Sequence, residues 1–301
     1  MSAAIVLIHG RGPKPRKDLL LECWKEFLPP ATVALPIDMV HWVDLFGYNP
    51  PITPDDQHDC EHLAGADLPD LAAQAFRAAA NSKEVLATQR QLSGQAFGWG
   101  DFKDAVIEKT WRAFTGISGN QFAVDAQNFF SDIPALRNDS RQRLKDAIAD
   151  QRAAGHEVMV IAHSFGTIVA YEAARELQNR EIHTLVTIGS PLAWCYDTWD
   201  KAKPPQVMPY FSAREFPRNG LRFWWNVYDP GDPVATAMVL AAQPQIATEY
   251  RRSRQPVILD CPIANTYATA GDAGSNHDFR GYLQSAPVQR AIELFLLEAG
   301  A

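Results

Sequence analysis

Short apolar runs that stop at glycine, proline or charged residues recur towards both ends of the chain. The first is Ile5-Val6-Leu7-Ile8, which is closed by His9-Gly10. Runs of this kind, rich in β-branched residues, are typical of strands that are buried on both faces. The pattern predicts six such strands, at residues 4–8, 32–37, 158–162, 184–188, 223–228 and 257–259.

Apolar residues at helical spacing predict helices at residues 17–27, 165–177 and 288–297. Each of these segments lies between or after predicted strands. Strands that alternate with helices build βαβ units, and the strands of such units run parallel. We therefore expect an α/β fold with a mostly parallel central sheet of about six strands, flanked by helices.

The long segment 40–137 interrupts this alternation, because it contains no convincing buried strand. It opens with a loop rich in proline and aspartate, and helical patterns follow at residues 68–92, 104–114 and 120–129. An insertion of this kind between two strands indicates a helical cap. We therefore expect a core formed by residues 1–39 and 138–301 and a cap or lid formed by residues 40–137.

The composition narrows the possible partners and the location. The chain has 301 residues and a formal net charge of −7, and it lacks the basic runs that mark nucleic-acid binding. No apolar stretch approaches the roughly 18 residues needed to span a bilayer, and the first residues lack a signal-peptide pattern. We expect a cytoplasmic protein whose four cysteines are reduced thiols. The oligomeric state is not indicated.

The strongest chemical signal is Ala162-His163-Ser164-Phe165-Gly166, which lies between a predicted strand and a predicted helix. It matches the G-x-S-x-G nucleophile elbow, with alanine at the first small position. The sharp turn needs small residues on both sides of the serine, and it exposes the hydroxyl above the sheet. We expect Ser164 to be a nucleophile.

A second signal is the strand that ends at His9-Gly10-Arg11-Gly12. A loop of this type supplies one backbone donor for a developing oxyanion, and the residue after the nucleophile supplies the other. We expect the N–H groups of Arg11 and Phe165 to form this oxyanion hole. His9 is expected to hold the loop rather than to act in catalysis.

Two aspartates, Asp229 and Asp232, follow the strand at residues 223–228, and both are candidates for a catalytic acid. We favour Asp232 and keep Asp229 as the alternative. The acid is followed in sequence by the histidine in enzymes with a nucleophile elbow. His277 is the one histidine after Asp232, and we expect it to be the general base.

Two further patterns are ambiguous. The segment at residues 55–62 is dense in metal-ligand residue types, but its spacing fits no specific site, so we expect a solvated acidic loop and no metal. Aromatic residues of the cap could line an acyl pocket or form the core of the cap. They are Trp42, Phe46, Tyr48, Phe97, Trp99, Phe102, Trp111 and Phe114.

The chain resembles the α/β-hydrolase superfamily and, more narrowly, a group of uncharacterised bacterial hydrolases of similar length. The resemblance implies an α/β-hydrolase fold, a triad of Ser164, Asp232 and His277, and the oxyanion hole, but it implies no substrate. One departure is Ala162 in the elbow, and we also expect the superfamily's first two strands to be absent. The matching segments are His9-Gly10, residues 42–48, 162–166, 187–192 and 226–235, His277, and residues 281–283.

These observations together lead us to expect a cofactor-free serine hydrolase that cleaves carboxylic esters through an acyl-enzyme intermediate. Its partner would be a small-molecule ester or another acyl substrate. Amidase, thioesterase or peptidase activity with the same triad is the first alternative, and an acyltransferase is another. A non-catalytic scaffold that binds a ligand is less favoured, because the triad is intact.

Overall fold

A computed structural model of the protein describes residues 2–12, 14–46, 129, 134–192, 217, 219–232, 234–235, 257–269 and 275–300. Single-turn 3-10 helices occur there at Pro30–Thr32, Val43–Phe46 and Ser275–His277. The strands and α-helices of these residues are, in chain order, β1 (Ser2–Ile8), α1 (Lys17–Lys25), β2 (Ile37–Val40), α2 (Pro134–Ala153), β3 (His156–His163), α3 (Gly166–Glu176), β4 (Ile182–Ile188), β5 (Leu221–Tyr228), β6 (Val257–Pro262), α4 (Phe279–Leu283) and α5 (Ala286–Ala299).

The six strands form one sheet in the order β2-β1-β3-β4-β5-β6. Every neighbouring pair is parallel, so the α/β class and the sheet of six strands are confirmed. The chain places β2 on one side of β1 and all later strands on the other. The order therefore reverses between β1 and β3.

Helices cover both faces of the sheet, and the strand side chains alternate between two cores. Val6 and Ile8 of β1 join the core that includes residues of α2 and α3. Ile5 and Leu7 join the core that includes residues of α1 and α5. Burial on both faces explains why β1 is an uninterrupted apolar run in the sequence.

The second strand was placed too early by the sequence pattern. Residues 32–37 were expected to form it, but β2 begins only at Ile37. Pro30–Thr32 forms a 3-10 turn, and the N–H of Leu35 donates to the carbonyl of Thr32 at 2.9 Å. The turn uses the backbone groups that a strand would need, and it leaves Val33 largely exposed.

The helix α2 was not predicted, because its buried face is narrow and partly polar. Leu144 and Ile148 lie in the core, but Arg137 at its start donates from Nε to Glu172 Oε2 of α3 at 2.7 Å. Both β2 and α2 overlap the boundaries expected for the cap at residues 40 and 137. The expected cap helices at 68–92 and 104–114 lie outside the described residues, as does all of 120–129 except Phe129.

Cysteine chemistry departs from the expectation. Cys23 is disulfide-bonded, so the expectation of reduced thiols is wrong for this residue, and its partner lies outside the described residues. Cys261 is a free thiol. In the portion of the chain that the structure covers, no helix has the length and apolar character required to cross a membrane.

Candidate active site

Ser164 lies in the sharp turn that joins the end of β3 to the start of α3. Its backbone has a φ of 53°, in the left-handed region that residues other than glycine rarely adopt. Such strain costs on the order of 1 kcal/mol and concentrates at functional sites. The N–H of Ser164 donates to the carbonyl of Ile188 at 3.0 Å, which ties the turn to the end of β4.

Small residues flank this turn for steric reasons. A β-carbon at Gly166 would overlap the carbonyl oxygen of His9 and would lie 3.0 Å from that of Ile8. The helix α3 therefore begins in direct contact with the end of β1. Ala162 is fully buried in β3, where its register partners are Ile8 and Thr187. An alanine fits at position 162, whereas only glycine fits at position 166.

A chain of hydroxyl groups holds the carbonyl of Ser164. Thr167 Oγ1 donates to this carbonyl at 2.6 Å, which uses the only hydrogen of the threonine hydroxyl. Ser190 Oγ, 2.8 Å from Thr167 Oγ1, must therefore donate to it. The N–H of Leu192 in turn donates to Ser190 Oγ at 3.2 Å. The segment after β4 thus supports the turn that carries the serine.

The loop after β1 lies directly against Ser164. A β-carbon at Gly10 would be 2.8 Å from Ser164 Cβ and 3.3 Å from Ser164 Oγ. His9 is fully buried, and its Nδ1 donates to the carbonyl of Gly10 at 2.6 Å. A trans peptide points its C=O and N–H in opposite directions, so this bond fixes the direction of the N–H of Arg11. His9 thus holds the loop, as its position in the sequence suggested.

Phe165 and Trp42 pack together beside this loop. Trp42 Nε1 donates to the carbonyl of His9 at 2.9 Å, and its ring stacks on Phe165 with 5.8 Å between centroids. Phe129 meets the edge of Phe165 at 5.0 Å. Trp42 therefore belongs to the core. The side chains of the other cap aromatics lie outside the described residues, namely those of Phe46, Tyr48, Phe97, Trp99, Phe102, Trp111 and Phe114.

His277 ends a 3-10 turn just before α4, and it contacts the aspartate that the sequence favoured. Its Nδ1 lies 2.8 Å from Asp232 Oδ2. A carboxylate only accepts, so Nδ1 carries the hydrogen and Nε2 holds the lone pair of the neutral ring. Asp232 is fully buried. Such a pair fixes the tautomer that a general base needs.

Gly189 connects this pair to the serine turn. Gly189 follows Ile188, the acceptor of the Ser164 N–H. A β-carbon at Gly189 would lie 3.0 Å from Cε1 of His277 and 3.2 Å from Oδ2 of Asp232. The end of β4 therefore contacts both the serine turn and the histidine–aspartate pair.

Asp229 has a different set of partners. Its Oδ1 accepts from the N–H of Gly231 at 2.7 Å, and its Oδ2 accepts from the N–H of Asn265 at 2.8 Å and from Asn276 Nδ2 at 2.9 Å. The structure therefore brings Asp232 to His277, while Asp229 holds the loops around the histidine.

The main chain around His277 is held at three successive carbonyls. Asn265 Nδ2 donates to the carbonyls of Asn276 and Asp278, at 3.0 and 2.8 Å. His163 Nε2 donates to the carbonyl of His277 at 3.0 Å, and the two imidazole rings lie 4.6 Å apart. Sequence reasoning missed both groups. Asn265 belongs to no motif, and His163 stands at a variable position of the elbow.

All of these groups gather at one edge of the sheet. Ser164 follows β3, the loop at Gly10 follows β1, and Asp232 follows β5. Open α/β sheets bind their ligands at the carboxyl ends of the strands, where the strand order reverses. That reversal lies between β1 and β3, between the loop at Gly10 and the turn at Ser164. The site therefore lies where this class of sheet binds ligands.

Two side chains near the site, the partly buried His41 and the buried Tyr282, have shifted pKa values. Burial lowers the pKa of His41, whose ring lies 5.2 Å from that of His9. Burial, and then the charge of Asp232, raises the pKa of Tyr282 well above its usual value. Both groups are therefore uncharged at neutral pH, His41 as the imidazole and Tyr282 as the phenol.

The described residues contain no group of three or more histidine, cysteine or acidic side chains placed to hold a metal ion. The acidic segment at residues 55–62 lies outside them. The chemistry available at this edge of the sheet is a strained serine, a histidine bonded to a buried carboxylate, and backbone donors.

No family model matches the chain, and comparison with curated proteins gave no match either.

Proposed function

We propose that the protein is a serine hydrolase with the α/β-hydrolase fold, and that it cleaves carboxylic esters. One observation carries the proposal: the His277–Asp232 pair lies at the same sheet edge as a serine held in left-handed backbone. A buried carboxylate bonded to a partly exposed imidazole is the arrangement that activates a serine hydroxyl. The strand order, with its reversal beside Ser164, supports the fold assignment.

Ser164 Oγ would attack the carbonyl carbon of the ester while His277 Nε2 takes the hydroxyl proton. The tetrahedral intermediate then collapses, the alcohol leaves with the proton from His277, and the acyl group stays on Ser164. Water attacks this acyl-enzyme with His277 again as base. The carboxylic acid is released, and the serine regains its proton. Asp232 stabilises the imidazolium in both steps.

The negative oxygen of the intermediate needs donors that are already in place. The N–H groups of Arg11 and Phe165 would supply them, since they belong to the loop and the turn on either side of the serine. The bond from His9 Nδ1 to the carbonyl of Gly10 at 2.6 Å supports this role for Arg11, because it sets the direction of that N–H. One such donor contributes about 3 kcal/mol to transition-state stabilisation.

Hydrolysis of p-nitrophenyl acetate and butyrate by the whole chain tests the proposal. We expect the Ser164→Ala variant to lose at least about a thousandfold in kcat, and a fluorophosphonate probe to label the wild type but not the variant. Ser2→Ala is the matched control, because Ser2 lies at the opposite end of β1. Full activity of Ser164→Ala, or labelling of the folded variant, would overturn the proposal.

The preference for esters needs its own experiment. Esters, thioesters and anilides that share one acyl group isolate the effect of the leaving group, and we expect the ester to give the highest kcat/KM. Product analysis with an added alcohol separates hydrolysis from acyl transfer. A higher kcat/KM for the thioester or the anilide would contradict the preference for esters, and transfer of the acyl group chiefly to the alcohol would contradict hydrolysis. Neither result would contradict the proposed triad.

A further inference from the structure

The hydroxyl of Tyr282 connects the two aspartates of the turn after β5. It lies 2.9 Å from the backbone nitrogen of Asp229 and 2.7 Å from Oδ2 of Asp232. A backbone N–H can only donate, so the hydroxyl accepts that bond. Its single hydrogen is therefore directed at Asp232, and the direction of both bonds follows from the chemistry of the groups.

The same carboxylate oxygen serves two donors. Oδ2 of Asp232 accepts from Tyr282 and from His277 Nδ1, the latter at 2.8 Å. The other oxygen, Oδ1, accepts from the N–H of Val234 at 2.8 Å. Asp232 is fully buried, so these donors take the place of water around its charge. Tyr282 thus shares the oxygen that faces the histidine.

Tyr282 is able to keep this role across the working pH range of an enzyme. Its side chain is fully buried in the core beside α5. Burial and the charge of Asp232 raise the pKa of its phenol well above the usual value. The hydroxyl therefore remains a donor whenever Asp232 is charged.

We propose that Tyr282 is a positioning residue of the triad: its hydroxyl fixes the Asp232 carboxylate and limits the negative charge that this carboxylate offers to His277. The inference rests on the proposed function. Tyr282 would not touch the substrate, and it acts only through Asp232. The bond to the Asp229 N–H holds the hydroxyl in place, so that its hydrogen stays directed at the carboxylate.

Removing the hydroxyl has a definite electrostatic direction. Without the Tyr282 donor, more of the Asp232 charge is available to the imidazolium form of His277. The ring then keeps its proton to higher pH, and less of the enzyme carries the neutral base. Asp232 keeps its place through the bond from Val234 and through burial, so the histidine pair survives.

Other charged groups near His277 must be considered in such a measurement. His163 faces the imidazole ring at 4.6 Å and lies 6.4 Å from the ring of Tyr282. Asp229 holds the neighbouring Asn276. Asp278, which follows the histidine, is paired with Arg280. None of these groups is changed when Tyr282 is replaced by phenylalanine, so a shift reports on the hydroxyl.

The test compares Tyr282→Phe with the wild type by NMR titration of the His277 ring and by the pH profile of kcat/KM. We expect the midpoint of the ring titration and the acidic limb of the profile to move up by about half a pH unit or more. We expect kcat to fall about three- to tenfold with KM nearly constant. Tyr171→Phe is the matched control, because Tyr171 is a buried tyrosine in the core on the other face of the sheet.

An unchanged or lowered titration midpoint in Tyr282→Phe would overturn the inference, since a purely structural tyrosine changes stability without this shift. Site-specific 3-fluorotyrosine at position 282 covers the case in which the phenylalanine variant fails to fold. It keeps the ring and is a stronger donor, so the midpoint must then move down, and an unchanged or raised midpoint overturns the inference. The NMR titration needs no substrate, so it decides on Tyr282 even if the wild type shows no hydrolysis that depends on Ser164.

Discussion

Gly10 lies so close to Ser164 that a β-carbon at position 10 would be 2.8 Å from the β-carbon of the serine. No ordinary contact between carbon atoms is this short, so either the loop at Gly10 or the turn at Ser164 would have to move. The loop after β1 and the turn after β3 are therefore fitted to each other. A substitution at Gly10 tests this fit without removing any chemical group.

We expect Gly10→Ala to lower kcat/KM by at least about a hundredfold, because displacement of the loop or the serine misaligns the reacting groups. The cost in unfolding free energy should be about 1–3 kcal/mol, as for other overpacked sites. Ester hydrolysis and chemical denaturation measure the two effects.

Gly155→Ala is the control: Gly155 has a φ of 86° and no neighbour within 4 Å of an added β-carbon. It should lose stability and keep its activity. Equal activity of Gly10→Ala and the wild type would show that the loop does not need to touch the serine.

Arg143 of α2 and Asp44 join the two ends of the long segment between β2 and α2. The two terminal guanidinium nitrogens of Arg143 donate to the carboxylate, at 2.6 and 2.9 Å, and one of them also donates to the carbonyl of His41 at 2.8 Å. Burial alone would raise the pKa of Asp44, but the hydrogen bonds and charge of Arg143 outweigh it and lower the pKa below its usual value.

A carboxylate whose pKa is lowered by folding stabilises the protein above its unfolded pKa, and this contribution is lost as the pH falls through the folded value. We expect Asp44→Asn to lower the unfolding free energy at pH 7 by about 0.5 kcal/mol, since the pair is half exposed. The difference from wild type should disappear once the pH falls below the lowered pKa of Asp44. Urea denaturation across pH measures it. Asp18→Asn, in an exposed pair with Arg16, is the control and should change stability less. A difference that persists in strong acid would mean that Asp44 acts through packing rather than charge.

Asp229 and Asp232 offer a direct comparison, because they lie in one turn and accept different donors. We expect Asp232→Asn to lower kcat by about a hundred- to ten-thousandfold, because the amide favours the wrong histidine tautomer. Asp229→Asn should instead lower the melting temperature, since a carboxylate that accepts three N–H groups is replaced by an amide that repels one of them. Its kcat should stay within about tenfold of wild type. Steady-state kinetics and thermal unfolding of both variants measure these effects. If Asp229→Asn lost kcat and Asp232→Asn kept it, Asp229 would be the acid instead of Asp232.

The sequence predicted the parts of the molecule that depend on local pattern. The strands β1 and β3 are buried on both faces along most of their length, and each contains an unbroken apolar run. The strand β2 has four residues and includes Asp38, and a neighbouring proline-rich turn gave a stronger apolar signal. The motif around Ser164 was likewise readable, because its strain is created by adjacent residues.

The rest of the site depends on contacts between distant parts of the chain. The sequence favoured Asp232 but left Asp229 as an alternative, because the direction of each side chain in a tight turn depends on where the next loops pass. Tyr282 reaches back 50 residues to Asp232, and His163 reaches 114 residues forward to the His277 carbonyl. No periodicity records such contacts. In the sequence, Tyr282 was noted only as part of residues 281–283, which carry the resemblance to the superfamily. Asn265 belongs to no motif.

Asn265 provides the sharpest test of how the position of His277 is set. Its amide bonds the carbonyls on both sides of the histidine, and its Oδ1 accepts from the N–H of Tyr267 at 3.0 Å. We expect Asn265→Ala to lower kcat about ten- to a hundredfold, because the imidazole is then no longer held in the position that the proposed mechanism needs. KM should change little. The loss of stability should be about 1–3 kcal/mol.

The matched variant is Asn226→Ala. Asn226 is also a buried asparagine, and its amide donates to Asp260 Oδ1 at 2.8 Å on the neighbouring strand. It should lose a similar amount of stability and keep its kcat. Kinetics at a temperature where both variants are fully folded separate position from stability. A line-broadened His277 ring signal in Asn265→Ala, but not in Asn226→Ala, would show the loosened histidine directly. Equal loss of kcat in the two variants would mean that Asn265 supports the fold and does not specifically position His277.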